Sequence, residues 1–372
     1  MTDTRIVPIV MPKWGLSMRE GKVTGWLKAD GTEINPGEAI LEVETDKIAG
    51  AVEASSAGVL RRRVGAADTV YPVKALLGVI ADPAVPDSEI DAFIASYVMP
   101  AAEEGEDDQG PHYEFAETPA GKLRYARRGS GGETVILIHG FGGDLDNWLF
   151  NIDALAETAT VYALDLPGHG QSVKALAKPG LASLTEALAS FMDTLGLASA
   201  HLVGHSLGGA IAMQLAADRP AKVKSLTLIC SSGLGPEIGT YVETFTAAQT
   251  RKDLKPVLET LFADTSLVSR QLVDDVLKYK RLDGVAGLLD GLKQALFGGG
   301  KQHDAPAAAL AGNLPPTLIV WGSQDQVIPP AHAANLTGAK THILENAGHM
   351  VFMEKAGEVN ALIKTHIANR LK

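Results

Sequence analysis

The sequence feature that most constrains the fold is a serine between two glycines, Gly204-His205-Ser206-Leu207-Gly208. The apolar run His201-Leu202-Val203 predicts a strand that stops at Gly204, and helix-forming residues resume at Ala210. Because strand, turn and helix share so few residues, Ser206 must adopt a strained backbone conformation, which its neighbours two positions away permit only when they lack side chains. This G-x-S-x-G pattern is that of a nucleophile elbow, which presents a serine hydroxyl at the end of a sheet.

Length, charge and cysteine content narrow the class of protein. A chain of 372 residues is long enough for two or three domains. Its net charge of −11 argues against a nucleic acid or an anionic membrane as partner. The single cysteine, Cys230, excludes an internal disulfide and suits a reducing compartment. With no signal peptide and no apolar run near the ~18 residues of a membrane span, we expect a cytoplasmic protein.

An internal repeat organises residues 1–81, which read as short strands separated by turns. Positions 36 apart match in type, as Leu41 with Leu77 and Val43 with Val79. Two similar four-strand halves predict a small all-β barrel. The first half ends in Thr45-Asp46-Lys47, which the alternating residues on both sides place at the tip of a hairpin.

This stretch resembles the lipoyl domain of 2-oxo acid dehydrogenase-type complexes. The resemblance rests on Glu44-Thr45-Asp46-Lys47 with Gly31 and Gly58 on either side, and Ile48 departs mildly from the usual alanine. It implies that Lys47 carries lipoic acid in amide linkage. A biotinyl domain is the near relative, but its lysine normally lies between methionines, which are absent here. The other alternative is an ordinary solvated lysine on a turn.

Residues 82–118 are predicted to be a linker. Prolines punctuate the segment, and the acidic run Glu103–Asp108 repels itself and favours an extended, hydrated chain. Within it, residues 88–98 have the apolar spacing of one short amphipathic helix, which either docks a partner or packs on its own domain.

From residue 119 to the end, strands alternate with helices, which predicts a doubly wound α/β sheet. Four apolar, β-branched runs are typical of buried parallel strands: 134–138, 161–164, 225–229 and 317–321. Residues 236–312 interrupt this pattern with helical sequence, and we interpret them as a cap over the site.

Three residues at predicted strand ends have the chemistry of a catalytic triad. Ser206 is the candidate nucleophile, and its hydroxyl needs a base to become reactive. His349, on a turn after the 341–344 strand, is the candidate base, and Asp325 would fix the tautomer of its imidazole. Asp165 and Glu345 are rival acids. The order Ser, Asp, His is that of the α/β-hydrolase family, which residues 119–372 resemble.

The backbone N–H groups of Phe141 and Leu207 are the candidate oxyanion-hole donors, since one belongs to the glycine-rich loop His139–Gly143 and the other follows the serine. We interpret His139, His169 and His205 as structural because they adjoin glycine turns, and His342 as a packing residue. We find no histidine or cysteine cluster with metal-ligand spacing and no dinucleotide fingerprint, so we expect no metal.

A lipoyl-like domain joined to a hydrolase-like domain resembles the acyltransferase component of acetoin dehydrogenase systems. The resemblance implies transfer of an acetyl group from lipoyl-Lys47 to coenzyme A within a multienzyme complex. It also implies two enzyme partners, a thiamine-diphosphate-dependent dehydrogenase component and a dihydrolipoamide dehydrogenase.

Two alternatives remain open at this point. One is a serine hydrolase or thioesterase that discharges the lipoyl arm to water. The other is a lipoyl carrier whose hydrolase-like domain is inert and serves only for assembly.

Overall fold

The structure is a computed structural model that describes residues 5–14, 18–45, 49–99 and 113–369. The chain divides into two compact units, Met1–Pro111 and His112–Lys372. Lys47 and the acidic run 103–108 lie outside the described residues. No helix in the described ranges is long and apolar enough to cross a membrane.

The first unit is built from two four-stranded sheets, with strand orders β1-β8-β6-β3 and β5-β4-β2-β7. Its elements are β1 (Ile6–Val10), β2 (Glu20–Trp26), β3 (Glu33–Ile34), β4 (Ala39–Glu44), β5 (Ala49–Glu53), β6 (Gly58–Arg63), β7 (Thr69–Pro72), β8 (Leu76–Ala81) and the helix α1 (Asp87–Ser96).

The sequence repeat includes one inner strand of each sheet, β4 and β8. Each lies between two neighbours of its own sheet, and the repeat pairs Leu41 with Leu77 and Val43 with Val79 are all fully buried. Corresponding positions of the two halves are both apolar because each sheet buries one of its faces in the core of the first unit. The apolar residues that recur in β4 and β8 are therefore required for packing in both halves.

The structure corrects the predicted linker at its amino-terminal end. Helix α1 packs on the barrel through Ile90, which is fully buried in a cluster with residues of β1 and β8. Arg61 binds the carboxylate of Asp87 at 2.7 Å, and the hydroxyl of Tyr97 donates to the Lys74 carbonyl at 2.9 Å. The short amphipathic helix thus belongs to the first unit.

The second unit is an eight-stranded sheet with helices on its faces, in the order β18-β17-β14-β13-β11-β12-β10-β9. Its elements are β9 (Tyr113–Thr118), β10 (Gly121–Arg128), β11 (Glu133–Ile138), α2 (Ile152–Ala156), β12 (Ala159–Leu164), α3 (Leu181–Thr194), β13 (Ala200–His205), α4 (Leu207–Asp218), β14 (Val223–Ile229), α5 (Tyr241–Ala247), α6 (Arg251–Glu259), α7 (Arg270–Lys280), α8 (Val285–Leu296), β15 (Phe297–Gly298), β16 (Lys301–Gln302), β17 (Thr317–Gly322), β18 (Lys340–Leu344), α9 (Val351–Glu354) and α10 (Ala356–Ala368).

The six strands β18, β17, β14, β13, β11 and β12 are parallel, and β10 and β9 add an antiparallel edge. Strands β15 and β16 form a separate antiparallel pair. All four apolar runs predicted as strands are strands. Strand β9 lies within the segment predicted as linker, so the carboxyl-terminal end of that prediction is also corrected. Helices α5 to α8 lie between β14 and β17 in the chain, inside the predicted cap segment 236–312.

Candidate active site

Ser206 lies in a strained turn between β13 and α4. Its backbone has φ 51° and ψ −118°, a combination that residues with side chains rarely adopt. A Cβ added to Gly204 would lie 2.4 Å from the Gly208 carbonyl oxygen, and one added to Gly208 would lie 2.2 Å from that of Ile138. Glycine is therefore required on both sides of the serine by contact with backbone, as the elbow predicts.

Asp325 and His349 meet at the carboxyl ends of β17 and β18. The Nδ1 atom of His349 is 2.8 Å from Oδ2 of Asp325, and both side chains are almost fully buried. The other carboxylate oxygen of Asp325 accepts the backbone N–H groups of Val327 at 2.8 Å and Ile328 at 3.0 Å. The carboxylate is thus fixed by three donors, and His349 is oriented with Nδ1 toward it.

Ser206 and His349 line one cavity of about 80 Å³. The glycine-rich loop supplies another part of its wall through residues 140–143. The cap supplies most of the rest, with apolar side chains from α5, α6 and the segment after α6: Tyr241, Val242, Phe245, Leu258, Leu261 and Phe262. A buried serine and histidine therefore face an apolar cavity, as in sites that exclude water from a reaction.

Of the two residues predicted as oxyanion donors, Phe141 lines the same cavity as Ser206, and Leu207 follows Ser206 in the chain. Phe141 is part of the cavity wall, and its ring packs edge-on against Phe245 of the cap at a centroid distance of 6.2 Å. Leu207 is the first residue of α4, where backbone N–H groups lack carbonyl partners within the helix and the helix dipole favours negative charge.

The rival acids do not reach His349. The carboxylate of Asp165 forms a buried ion pair with Arg124, whose Nε lies 2.5 Å from Oδ2. It also accepts the backbone N–H groups of Leu145 at 2.9 Å and Gln171 at 2.7 Å. Glu345 is exposed. Asp165 thus holds loops together.

His139 and His169 are buried and structural. Nε2 of His139 accepts the backbone N–H of Leu166 at 3.0 Å, and its Nδ1 donates to the Gly140 carbonyl at 2.8 Å. Burial lowers the pKa of His139 to about 4 and that of His169 to about 3, so both rings are neutral near pH 7. The half-buried His342 lies on β18.

His205 contacts the catalytic candidates, which the sequence did not indicate. Its Nε2 donates to the backbone carbonyl of His349 at 3.0 Å, and its ring lies between those of His349 and Phe352. Burial lowers the pKa of His205 well below its usual value, which keeps the ring neutral. The only signal in the sequence was its place beside Ser206.

Cys230 is the third residue here with an atom that could bind a metal. Its thiol, Asp325 and His349 bring ligand atoms within 4.8 Å of one another. The histidine and carboxylate atoms involved already bind each other, and burial raises the pKa of the Cys230 thiol well above its usual value. The thiolate that a metal would need is therefore disfavoured at this position.

Comparison with known proteins places both units in families. Residues 133–356 match the family described as alpha/beta hydrolase fold, and residues 7–72 match the biotin/lipoyl family described as biotin-requiring enzyme. Among solved structures, the meta-cleavage product hydrolase of Pseudomonas fluorescens IP01 is 24% identical with a TM-score of 0.63. The match covers 69% of this chain and 97% of that one, and it shows the fold.

Two curated relatives match nearly the whole chain. The dihydrolipoyllysine-residue acetyltransferase component of the acetoin cleaving system of Cupriavidus necator is 56% identical over 364 residues, which is 97% of each chain. The protein of the same description from Pseudomonas putida is 47% identical, covering 96% of this chain and 97% of its own.

Proposed function

The chain belongs to the family of dihydrolipoyllysine-residue acetyltransferase components of acetoin cleaving systems, and we propose that Ser206, His349 and Asp325 carry out its acyl transfer. The chain is an acetyltransferase with covalently bound lipoic acid. The observation that carries the assignment of residues is the hydrogen bond from His349 to Asp325 beside a strained, buried Ser206 in one cavity.

We propose Lys47 as the attachment point of the lipoyl group. Strands β4 and β5 pair in register as far as Glu44 and Ala49, so residues 45–48 connect them at the end of a hairpin. A hairpin end suits a covalent arm, because it leaves the lysine accessible on a rigid base. When attached, the lipoyl group supplies a thiol that presents the acyl group as a thioester.

The protein residues perform the transfer in two steps. Ser206 Oγ attacks the acyl carbonyl carbon, and His349 Nε2 accepts the serine proton while Asp325 stabilises the resulting imidazolium. The carbonyl oxygen, now negative, is held by the N–H groups of Phe141 and Leu207. The carbon–sulfur bond breaks, and His349 returns the proton to the leaving thiolate.

The second step returns the enzyme to its initial state with coenzyme A as acceptor. Its thiol gives its proton to His349 as the sulfur attacks the acyl-serine carbonyl. The carbon–oxygen bond to Ser206 then breaks, and His349 protonates the serine oxygen. No net proton is gained or lost in the exchange of one thiol for the other.

Transfer requires that coenzyme A reacts with the acyl-serine faster than water does. A thousandfold preference corresponds to about 4 kcal/mol of barrier difference. The apolar wall built by the cap contributes to this preference because it offers few hydrogen-bond partners to water. In the complete system, a thiamine-diphosphate-dependent dehydrogenase component would load the arm and a dihydrolipoamide dehydrogenase would reoxidise it.

The test measures coenzyme A-dependent acetyl transfer by the lipoylated full chain. Ser206→Ala should lower the rate at least a thousandfold, because the nucleophile is lost. Ser190→Ala is the matched control, since Ser190 is a buried serine on α3 whose hydroxyl donates to the Ala187 carbonyl of its own helix at 3.0 Å.

A second pair of variants tests the arm. Lys47→Arg should abolish transfer from the arm, and Lys22→Arg, at a half-buried lysine paired with Asp68, should leave it unchanged. Unchanged transfer in Ser206→Ala would support the inert carrier instead. Loss of acetyl groups at the same rate without coenzyme A would support the thioesterase.

A further inference from the structure

The described residues that line the cavity beside Ser206 include no aspartate, glutamate, lysine or arginine. Its polar side chains are Ser206 and His349, with Asn147, His205 and Tyr241. A carboxylate buried there would have no cationic partner, and an unpaired charge in an apolar site is strongly disfavoured. The cavity volume is about 80 Å³, several times the ~10–15 Å³ that a cavity needs to hold one water, which is about the size of a methyl group.

The acyl group is the part of the substrate that stays in this cavity throughout the reaction. Both thiols, one attached to a protein domain and the other to a large nucleotide, must reach Ser206 from solvent and leave again. The acyl group alone stays on the serine between the two steps. Its chain is therefore the part that packs against the apolar residues with which the cap lines the cavity.

We propose that this cavity is an acyl-chain subsite that takes neutral acyl groups longer than acetyl and rejects acyl groups that end in a carboxylate. The inference rests on the proposed function, since it names the substrate class of the same site. The apolar side chains of α5 and α6 pack against the chain, and the serine and histidine meet only its carbonyl.

The experiment uses full-length Lys47→Arg protein, which lacks the arm, and follows in a single turnover the one equivalent of coenzyme A that each acyl-coenzyme A probe releases as it acylates Ser206. Rates for Ser206→Ala are subtracted. Butyryl-coenzyme A should react within tenfold of acetyl-coenzyme A. Succinyl-coenzyme A should react at least 100-fold more slowly than its methyl ester, which has a similar shape without the charge.

Succinyl and methyl-ester rates within tenfold of each other, or a butyryl rate 100-fold below acetyl, would overturn the proposal. Calorimetric binding to Ser206→Ala should rank the same probes in the same order. If no probe releases coenzyme A, the proposed function fails, and the binding order still decides whether the subsite exists.

A second inference concerns Glu354, the last residue of α9, which joins the cap to the loop of the catalytic histidine. One oxygen of its carboxylate accepts the backbone N–H of Gly348 at 2.6 Å. The other accepts the N–H groups of Ala263 at 2.8 Å and Asp264 at 3.1 Å, which follow α6 of the cap. A single half-buried side chain thus binds the residue before His349 and the cap at once.

The two segments that Glu354 bridges, the loop of His349 and the cap residues after α6, are in close contact through their backbones. Met350 donates its backbone N–H to the Leu261 carbonyl at 3.0 Å. A Cβ at Gly348 would lie 2.8 Å from the Ala263 nitrogen, so the two segments leave no space between them. Leu261 also lines the cavity with His349. Any displacement of this part of the cap therefore changes the cavity wall beside the histidine.

The geometry points to Glu354 as a positioning residue that holds the cap closed over His349 and so favours thiol over water as acyl acceptor. It touches neither substrate nor the reacting atoms. The carboxylate is required because all three of its partners are donors. A glutamine would keep one accepting oxygen but present an N–H₂ group toward backbone N–H donors.

The test compares Glu354→Gln with Glu358→Gln, a change at an exposed glutamate of α10. The ratio of acetyl groups lost to water to those transferred to coenzyme A should rise at least tenfold in Glu354→Gln and stay constant in the control. A purely structural role would lower the melting temperature without changing this ratio, and an unchanged ratio would overturn the proposal.

Amide hydrogen exchange of the unaltered protein tests the three hydrogen bonds of Glu354 directly. This measurement depends neither on whether the variant folds nor on activity. The amides of Gly348, Ala263 and Asp264 should exchange slowly and with similar protection, since one carboxylate holds all three. Rapid exchange at any of them would show that the bridge is not maintained.

Discussion

The change Asp325→Asn isolates the role of the acid with little change in shape. In the unaltered protein the carboxylate accepts from His349 Nδ1 and from the backbone of Val327 and Ile328. Asparagine can keep its oxygen on the two backbone donors. Its N–H₂ group then faces His349 Nδ1 and makes that atom an acceptor. The imidazole proton moves to Nε2, where it blocks acceptance of the Ser206 proton.

The expected cost follows from the tautomer. Replacing the acid of a serine triad by asparagine lowers kcat by about 10⁴-fold, which corresponds to about 5.5 kcal/mol of transition-state stabilisation. Two of the three hydrogen bonds of residue 325 persist, so the melting temperature should change little. Circular dichroism on heating and single-turnover acetyl transfer, measured on the same preparation, separate the two effects.

The matched control is Glu345→Gln, which removes the exposed rival acid. It should keep full activity. If Asp325→Asn retained activity within tenfold of the unaltered chain while Glu345→Gln lost it, the assignment of the acid would be wrong. If both variants kept activity, His349 would not need a buried carboxylate, and the triad mechanism would be refuted.

Three further predictions concern the residues around the site. Gly208→Ala should yield little folded protein on purification by size exclusion, because its Cβ would lie 2.2 Å from a backbone oxygen of β11; normal yield and melting temperature would contradict this reasoning. Gly142→Ala should lower kcat at least tenfold without large loss of stability. Gly142 has φ +76°, and a Cβ there would lie 2.7 Å from the Phe245 ring, so the substitution should displace the loop that carries the oxyanion donor Phe141. An unchanged kcat would argue against Phe141 as a donor. The pKa of His139 is about 4 in the folded chain and about 6.5 in the unfolded chain, so above pH 6.5 the buried neutral ring contributes up to about 3 kcal/mol to the free energy of unfolding. This contribution is lost as the pH falls toward 4. In denaturant unfolding, His139→Gln should lose less stability between pH 6.5 and pH 4 than the unaltered chain does. Asp144, whose pKa burial raises to about 7, contributes in the opposite direction in both proteins, so the comparison cancels its effect. Equal losses of stability in the two proteins would contradict the assignment.

The elbow could be predicted from sequence because its constraints are local. A serine with φ 51° needs glycines two residues away on either side, and both are visible in a five-residue window. The strand cores could be predicted for the same reason, since burial on both faces selects continuous β-branched runs. Asp325 and His349 were located by their places after strands, which parallel sheets bring to one edge.

The contacts that complete the site could not be predicted, because they join distant residues without a sequence pattern. Glu354 binds the backbone of Ala263, 91 positions earlier, and a backbone N–H carries no residue type to read. His205 binds the carbonyl of His349, again a backbone atom. Helix α1 was visible, but its docking depends on Ile90 fitting a cluster of first-unit residues distant from it in sequence.

The central claim is that an arm on Lys47 exchanges its acyl group through Ser206. The most direct measurement incubates reduced, lipoylated full chain with acetyl-coenzyme A and locates the added acetyl group by intact mass and fragmentation. The account predicts that the arm on Lys47 gains one acetyl group in the unaltered chain and stays unacetylated in Ser206→Ala, which still carries its lipoyl group. Equal acetylation of the arm in both proteins, or a Lys47 that bears no lipoyl group, would contradict it.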